Sequence, residues 1–203
     1  MVSESPRYFS RPLVIRGNSD EAEEQVESAA ESLGWPCRGE IPADPDQGVP
    51  YEVQWMAGPA LILHFVVDDL SNCSVMRISG DNPDFVESAA FLVKGSVDVY
   101  SFEELLDSAE ISEDTEKSAQ ALMRASVGAP PEFSERLFGR IRSFLASGNP
   151  ELQEAAIWAT SFTPFPQYRP LLNEVLATQS DLHLRETAMS VLEAYDHEGV
   201  QEQ

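Results

Sequence analysis

The first half of the chain alternates between short apolar runs and turn-forming residues. The segment 51–57 places its aromatic and branched residues on one side, and 61–67 is a second apolar run that follows Gly58-Pro59. This pattern predicts an antiparallel hairpin. Apolar and polar residues alternate again over 73–79, which adds a third strand, and 7–16 predicts a further strand near the sheet edge.

Helical periodicity appears between these strands. Asn18 and Glu21 form a capping-box pattern at the start of a segment that ends at Leu33-Gly34. At about 100° per residue, its apolar residues form one stripe and its glutamates occupy the opposite side. The pattern predicts an amphipathic helix with one face in the core. Pro83 starts a second helix, and a capping box at Ser101 starts a third that reaches residue 110.

The order of these elements predicts the fold class of the first half. A strand, a helix, three strands and a helix follow one another, and residues 96–100 form a possible last short strand before the third helix. This order favours an α+β N-terminal domain over residues 1–110, in which an antiparallel sheet carries helices on one face. A doubly wound parallel sheet is disfavoured because the connections between the central strands are too short for crossover helices.

The second half, residues 111–203, has only helical periodicity and contains a near-duplication. The segment 145–158 is echoed by 176–190, with a period of about 32 residues. Leu152 then corresponds to Leu184, and Ala156 to Ala188. This register predicts stacked helical hairpins in which the two alanines lie where helices approach closely.

Residues 181–192 resemble the second helix of a HEAT-type repeat. Asp181, Leu184, Arg185, Ala188 and Leu192 match its pattern of an acid, an apolar residue followed by arginine, an alanine and a leucine. The earlier copy is looser, since an asparagine and a glutamine replace the acid and the arginine. The resemblance covers about residues 112–197. It implies an all-α HEAT-like helical-hairpin stack and a binding role, and it carries no catalytic residues.

The net charge of −22 limits the kinds of molecule that this protein is expected to bind. Such a surface repels phosphate backbones and anionic lipids, which disfavours direct contact with nucleic acid or membrane. The acidity serves solubility, or it captures a basic protein by electrostatic steering. Under the second hypothesis the candidate partner-binding residues are the helix glutamates Glu24, Glu27 and Glu31, together with Glu154 and Trp158 in the repeat region.

The sequence offers little support for other chemistry. Cys37 and Cys73 lack the spacing of a zinc or redox motif, and the acidic stretch from Asp44 lacks the carboxylate that a calcium loop requires at its twelfth position. No nucleophile, phosphate-loop or dinucleotide motif occurs. We therefore expect no catalytic residues, no metal and no cofactor. The absence of a leader pattern and of a long apolar run predicts a cytoplasmic location.

The favoured hypothesis is a non-enzymatic protein–protein interaction protein with a basic partner. Its small size, acidity and lack of catalytic motifs are similar to those of bacterial immunity proteins, which neutralise a toxin by binding it. An alternative is an enzyme or small-ligand sensor with a pocket near His64, Asp68 and Asp81. A third possibility is an acidic face that mimics nucleic acid. The oligomeric state stays open.

Overall fold

The computed structural model describes residues 7–200. The chain divides into two compact units, residues 1–100 and 101–203. Each unit is described by itself below. The predicted domain boundary at residue 110 stays a prediction.

The first unit is built on an antiparallel sheet. Its strands are β1 (Tyr8–Phe9), β2 (Leu13–Val14), β3 (Cys37–Ile41), β4 (Tyr51–Gly58), β5 (Leu61–Asp68) and β6 (Cys73–Gly80). The spatial order is β1-β6-β5-β4-β3, and β2 also pairs with β6. The long central strands β4, β5 and β6 are the predicted meander, and the turn after Gly58 contains Ala60 with a positive φ of 61°. These central strands confirm the prediction.

Two predictions at the sheet edges are corrected. The single strand expected over 7–16 is divided into β1 and β2, because Ser10 interrupts the ladder and accepts a hydrogen bond from the Ile78 N–H at 2.9 Å through its hydroxyl. Pro12, which lacks an N–H, lies between the two pieces. Residues 37–41, for which no strand was predicted, form the edge strand β3. The possible last strand is reduced to one bridge between Ile15 and Val99.

Helices α1 (Ser19–Ser32) and α2 (Pro83–Lys94) pack on one face of the sheet. Asn18 caps α1 with both hydrogen bonds of a capping box, as predicted. Asn82 caps α2 by accepting from the next two available backbone N–H groups. The core between helices and sheet contains small helical residues over large strand residues: Ala22, Val26, Ala29, Ala30, Val86, Ala89, Ala90 and Val93 against Val53, Trp55, Leu63, Phe65, Met76 and Ile78.

In the described part of the second unit, all the regular elements are helices. Its helices are α3 (Phe102–Ser108), α4 (Thr115–Val127), α5 (Glu135–Leu145), α6 (Pro150–Phe162), α7 (Arg169–Thr178) and α8 (Leu182–His197). Helix α6 contacts α4, α5 and α8, and α8 also packs on α7. Alanine, leucine and isoleucine are buried around most of α6, which is the pattern of a central helix.

The equivalent positions of the near-duplication agree at the helix starts. Asn149 and Asp181 are both N-caps, and each accepts from the second backbone N–H of its helix at 2.9 Å. Ala156 and Ala188 are both fully buried, whereas Ile157 is buried and its counterpart Met189 is exposed.

The α+β layout is therefore confirmed, with a mixed first unit followed by helices. Membership of the HEAT-type family stays a prediction. Within residues 7–200, none of the helices combines the length and the apolar composition that a bilayer span requires.

Candidate functional site

Helix α1 presents a row of acidic side chains to solvent. Asp20, Glu24, Glu27 and Glu31 follow a four-three-four spacing and are all exposed, because the buried residues of α1 occupy the opposite side. This spacing returns to nearly the same angle of an α-helix, so the carboxylates form a line along it. We call these four residues the acidic row.

The acidic row lacks counter-charges. Across residues 7–200, no ion pair or side-chain hydrogen bond involves Glu24, Glu27 or Glu31, and the last turn of α1 has no basic residue. Two other carboxylates of α1 already accept hydrogen bonds within the protein. Glu21 closes the capping box, and Glu23 accepts from the Tyr51 hydroxyl at 3.1 Å. Three of the predicted binding residues are thus brought together and left available.

The remaining two predicted binding residues lie in the second unit on α6. Glu154 is half-buried and bonds to the His183 Nε2 atom at 2.8 Å. That hydrogen bond and the charge of Glu154 raise the pKa of His183. Trp158 is half-buried. Glu154 therefore already has a partner within its own unit, and it is less available than the acidic row.

The second predicted site, with His64, Asp68 and Asp81, is not assembled as one pocket. Asp68 pairs with Cys73 at one end of the β5–β6 ladder, and Gly80, next to Asp81, pairs with Leu61 at the other. At about 3.3 Å per residue, the two acids lie about 20 Å or more apart. Asp68 accepts hydrogen bonds from the Ser71 backbone and hydroxyl, as an acidic turn residue does.

A polar network that sequence reasoning missed surrounds His64. Its Nδ1 atom lies 2.6 Å from the Glu52 Oε1 atom, and its Nε2 atom lies 2.7 Å from the Ser79 hydroxyl. Gln54 donates to the same Glu52 oxygen at 2.5 Å. These residues share the sheet face opposite α1 and α2. The missed signal was the hairpin register, since Gln54 pairs with His64, and His64 with Arg77.

The charge state of this network follows from burial and hydrogen bonding. Burial is the largest influence on the pKa of His64 and lowers it. The Glu52 carboxylate raises this pKa, but the nearby charges of Arg77 and Arg7 lower it further, so the pKa is lowered overall. Burial raises the pKa of Glu52, but hydrogen bonds from His64 and Gln54 outweigh it, so that pKa is lowered overall. At neutral pH the pair is a carboxylate and a neutral imidazole. The Nδ1–H then donates to Glu52, and Nε2 accepts from Ser79.

An acid, a histidine and a serine in this order resemble a nucleophilic triad. Ser79, however, is 0% exposed and lies within a strand that pairs on both sides, with Phe9 of β1 and Ile62 of β5. The Phe9 ring also lies over His64, with the centroids 6.1 Å apart. A substrate carbonyl has no approach to the hydroxyl in this conformation. In this structure the network satisfies buried polar groups.

The lowered pKa of His64 predicts an acid-dependent loss of stability. Below about pH 6.5 the unfolded chain takes up a proton at His64 more readily than the folded chain, so the free energy of unfolding falls. We expect the free energy of unfolding of the His64→Gln variant to fall less than that of the wild type between about pH 7.5 and 5.5. Urea unfolding in a Trp158→Phe background, where the remaining tryptophans Trp35 and Trp55 report on the first unit, measures it.

A control with the opposite sign is available at the exposed His183. Its raised pKa stabilises the fold below the ordinary histidine pKa, and this contribution is lost as the pH rises. In the His183→Gln variant, the free energy of unfolding of the second unit should therefore fall more steeply as the pH is lowered. An unchanged pH slope for His64→Gln would contradict the buried neutral imidazole.

A cleft of about 250 Å³ in the second unit is lined by residues of α5, α6, α7 and α8. Its two amides are already paired: Gln179 donates to Gln153 at 3.1 Å, and Gln153 donates to the Leu145 carbonyl at 2.8 Å. The bond between Gln179 and Gln153 joins the two predicted repeat copies, and the bond to Leu145 lies within the first copy. The two amides of the cleft are thus used in packing.

Metal binding finds no support in the part of the chain that the structure describes. No group of three or more histidine, cysteine, aspartate or glutamate side chains is placed to hold an ion there. Comparison with protein-family models, with curated proteins and with solved structures finds no match for this chain.

Proposed function

We propose that this protein is a non-enzymatic binding protein that captures a basic protein partner through the acidic row of α1. The observation that carries the proposal is the line of carboxylates on α1, which are exposed and have no ion-pair partner among the described residues. Neutralisation of the partner, as in bacterial immunity proteins, is the biological role proposed for this binding. The cytoplasm is the proposed location.

The physical argument is one of steering and desolvation. Aligned like charges with no internal counter-charge raise the local negative potential, which accelerates encounter with a positive surface. A carboxylate that is already paired within the protein must lose that bond before it binds a partner. Glu24, Glu27 and Glu31 have no such cost, whereas Glu154 must leave His183.

The binding of small ligands and catalysis receive less support. His64, Asp68 and Asp81 are distributed along the sheet, and the Ser79 hydroxyl is buried. The described residues thus present a charged surface more clearly than a reaction site.

Charge reversal on α1 should slow association. We expect Glu24→Lys/Glu27→Lys/Glu31→Lys to lower the association rate constant for a basic partner by about tenfold or more at low salt, and to weaken its salt dependence. The protein should remain folded, because all three positions are exposed. The partner is obtained by affinity capture on the wild-type protein, elution with salt and mass spectrometry, and its binding is then measured by stopped-flow.

The matched control reverses Glu113, Glu132 and Glu151 to lysine. These residues are exposed, lie in the second unit and change the net charge by the same amount. If steering comes from the acidic row, the control triple slows association much less. Equal slowing by both triples would show that only net charge matters and would overturn the assignment to α1.

A further inference from the structure

Helix α2 carries three large apolar side chains on its outer side. Phe91 is 79% exposed, Phe85 64% and Leu92 55%. The opposite side of the same helix is buried in the core through Val86, Ala89, Ala90 and Val93. We call Phe85, Phe91 and Leu92 the apolar stripe. Exposed apolar patches rimmed by polar residues mark interaction surfaces.

The spacing of this side of α2 is that of a helix–helix seam. Phe85, Ser88 and Leu92 follow a three-then-four spacing, and Phe91 flanks them. Phe85 and Leu92 are seven residues apart and take the same heptad position, and Ser88 takes the other seam position with a small side chain, so this side of α2 has the spacing of a surface that packs against a second helix. A shallow depression lined by Glu87, Ser88, Phe91 and Leu92 lies along this line.

The charged residues around the apolar stripe indicate which kind of molecule would bind there. Asp81, Asp84 and Glu87 are exposed beside the apolar stripe, with Lys94 as the basic residue of the last turn. Helix α1, which carries the acidic row, is the neighbour of α2 on the same sheet face. A second copy of the chain would bring two molecules of net charge −22 together. An apolar helix bordered by lysine and arginine instead complements both features.

We infer that α2 is the docking site for a basic amphipathic helix of the partner, whose apolar side packs on Phe85, Phe91 and Leu92. This inference rests on the proposed function, because the acidic row next to α2 attracts the basic side of the same helix. The apolar stripe then holds the complex by burying apolar area, while the acidic row sets the rate of encounter.

The test uses a designed helical peptide of about 21 residues, with leucine at the seam positions and lysine or arginine at the flanking positions. Two matched peptides carry glutamate at the flanks or serine at the seam. We expect the wild-type protein to bind the first peptide at least tenfold more tightly than either matched peptide. Failure of the first peptide to bind more tightly than the others overturns the inference.

Variants of the protein separate the two surfaces. Phe85→Gln/Phe91→Gln/Leu92→Gln should weaken peptide affinity at least tenfold, mainly through faster dissociation. The control triple Ile111→Gln/Leu182→Gln/Met189→Gln removes three other exposed apolar side chains, from the second unit, and should leave affinity within twofold. Circular dichroism checks that both triples are folded, and Phe91→Gln alone provides a milder variant with a smaller loss in the same direction.

Three results would overturn docking on α2. The first is equal affinity of the α2 triple and the wild type for the peptide. The second is concentration-dependent self-association in sedimentation that the α2 triple abolishes, since a second copy would then be the occupant. The third is a tenfold gain in peptide affinity after deletion of residues 2–6, which would identify that segment as the occupant.

Failure of the proposed function is distinguishable from failure of this inference. If the α1 charge-reversal triple binds the peptide as fast as the wild type while the α2 triple loses affinity, docking on α2 stands and electrostatic capture by α1 is wrong. If instead the α1 triple binds more slowly while the α2 triple keeps its affinity, capture by the acidic row stands and docking on α2 is wrong.

Discussion

Ala188→Glu should unfold the second unit under conditions in which the wild-type protein is stable. Ala188 is 0% exposed and lies on the side of α8 that packs into the helical core. A carboxylate at this position is buried without a partner or displaces the neighbouring helix. We expect a loss of about 4 kcal/mol in unfolding free energy, which lowers the melting temperature by about 15 °C or more.

The measurement uses a Trp35→Phe/Trp55→Phe background, in which Trp158 reports on the second unit. Ala194→Glu is the matched control, because it makes the same substitution at an exposed position of α8. Its expected effect is within about 0.5 kcal/mol. Ala156→Glu should reproduce the loss, since Ala156 is also fully buried. A melting temperature for Ala188→Glu close to that of Ala194→Glu would contradict the packing of α8.

His64→Leu should strongly destabilise the first unit. The substitution leaves the half-buried Glu52 carboxylate without its histidine and the Ser79 hydroxyl without an acceptor. Glu52 keeps only its bond from Gln54 in this network. Removing one partner of a buried polar pair costs about 2–4 kcal/mol, because the remaining group stays desolvated. Urea unfolding at neutral pH, followed through Trp55, measures the loss.

Substitutions of His64, Glu52 and Ser79 should have non-additive effects on stability, because these side chains are hydrogen-bonded to one another. Adding Glu52→Leu and Ser79→Ala to His64→Leu removes all three polar partners, and we expect this triple variant to be more stable than His64→Leu alone. Such recovery would show that the cost arises from unpaired groups and does not arise from the leucine itself. A cost below about 0.5 kcal/mol for His64→Leu would contradict the buried network.

Local patterns predicted the long elements of this fold. Asn18 and Ser101 cap helices as expected, and residues 51–67 form the expected antiparallel hairpin. These features depend on neighbours within a few residues, so the sequence specifies them directly. Glu24, Glu27 and Glu31 of the acidic row were predicted for the same reason, because the exposed side of α1 is determined once its buried side is known.

Features that depend on distant pairing were missed. Strand β3 has five exposed residues, so no alternation distinguishes it from a loop, and its pairing with β4 defines it. The His64 network requires residues from three strands, and only the complete register places Glu52 and Ser79 on the two imidazole nitrogens. A helical-wheel count of α2 would have indicated the apolar stripe, since both of its sides contain large or branched apolar residues.

The acidic row and the apolar stripe make separate contributions that kinetics can resolve. Charges act over a distance and change mainly the association rate, whereas the buried apolar contact changes mainly the dissociation rate. Raising salt should therefore slow association with the wild type and leave dissociation nearly constant.

The most direct measurement is the association rate constant for the salt-released basic partner as a function of ionic strength. It compares the wild type, the triple reversal of Glu24, Glu27 and Glu31, and the control reversal of Glu113, Glu132 and Glu151. Capture by α1 predicts a fall of about tenfold or more at low salt for the first triple, with curves that converge at high salt, and a much smaller change for the control. A rate that is independent of salt, or equal for all three proteins, would contradict it.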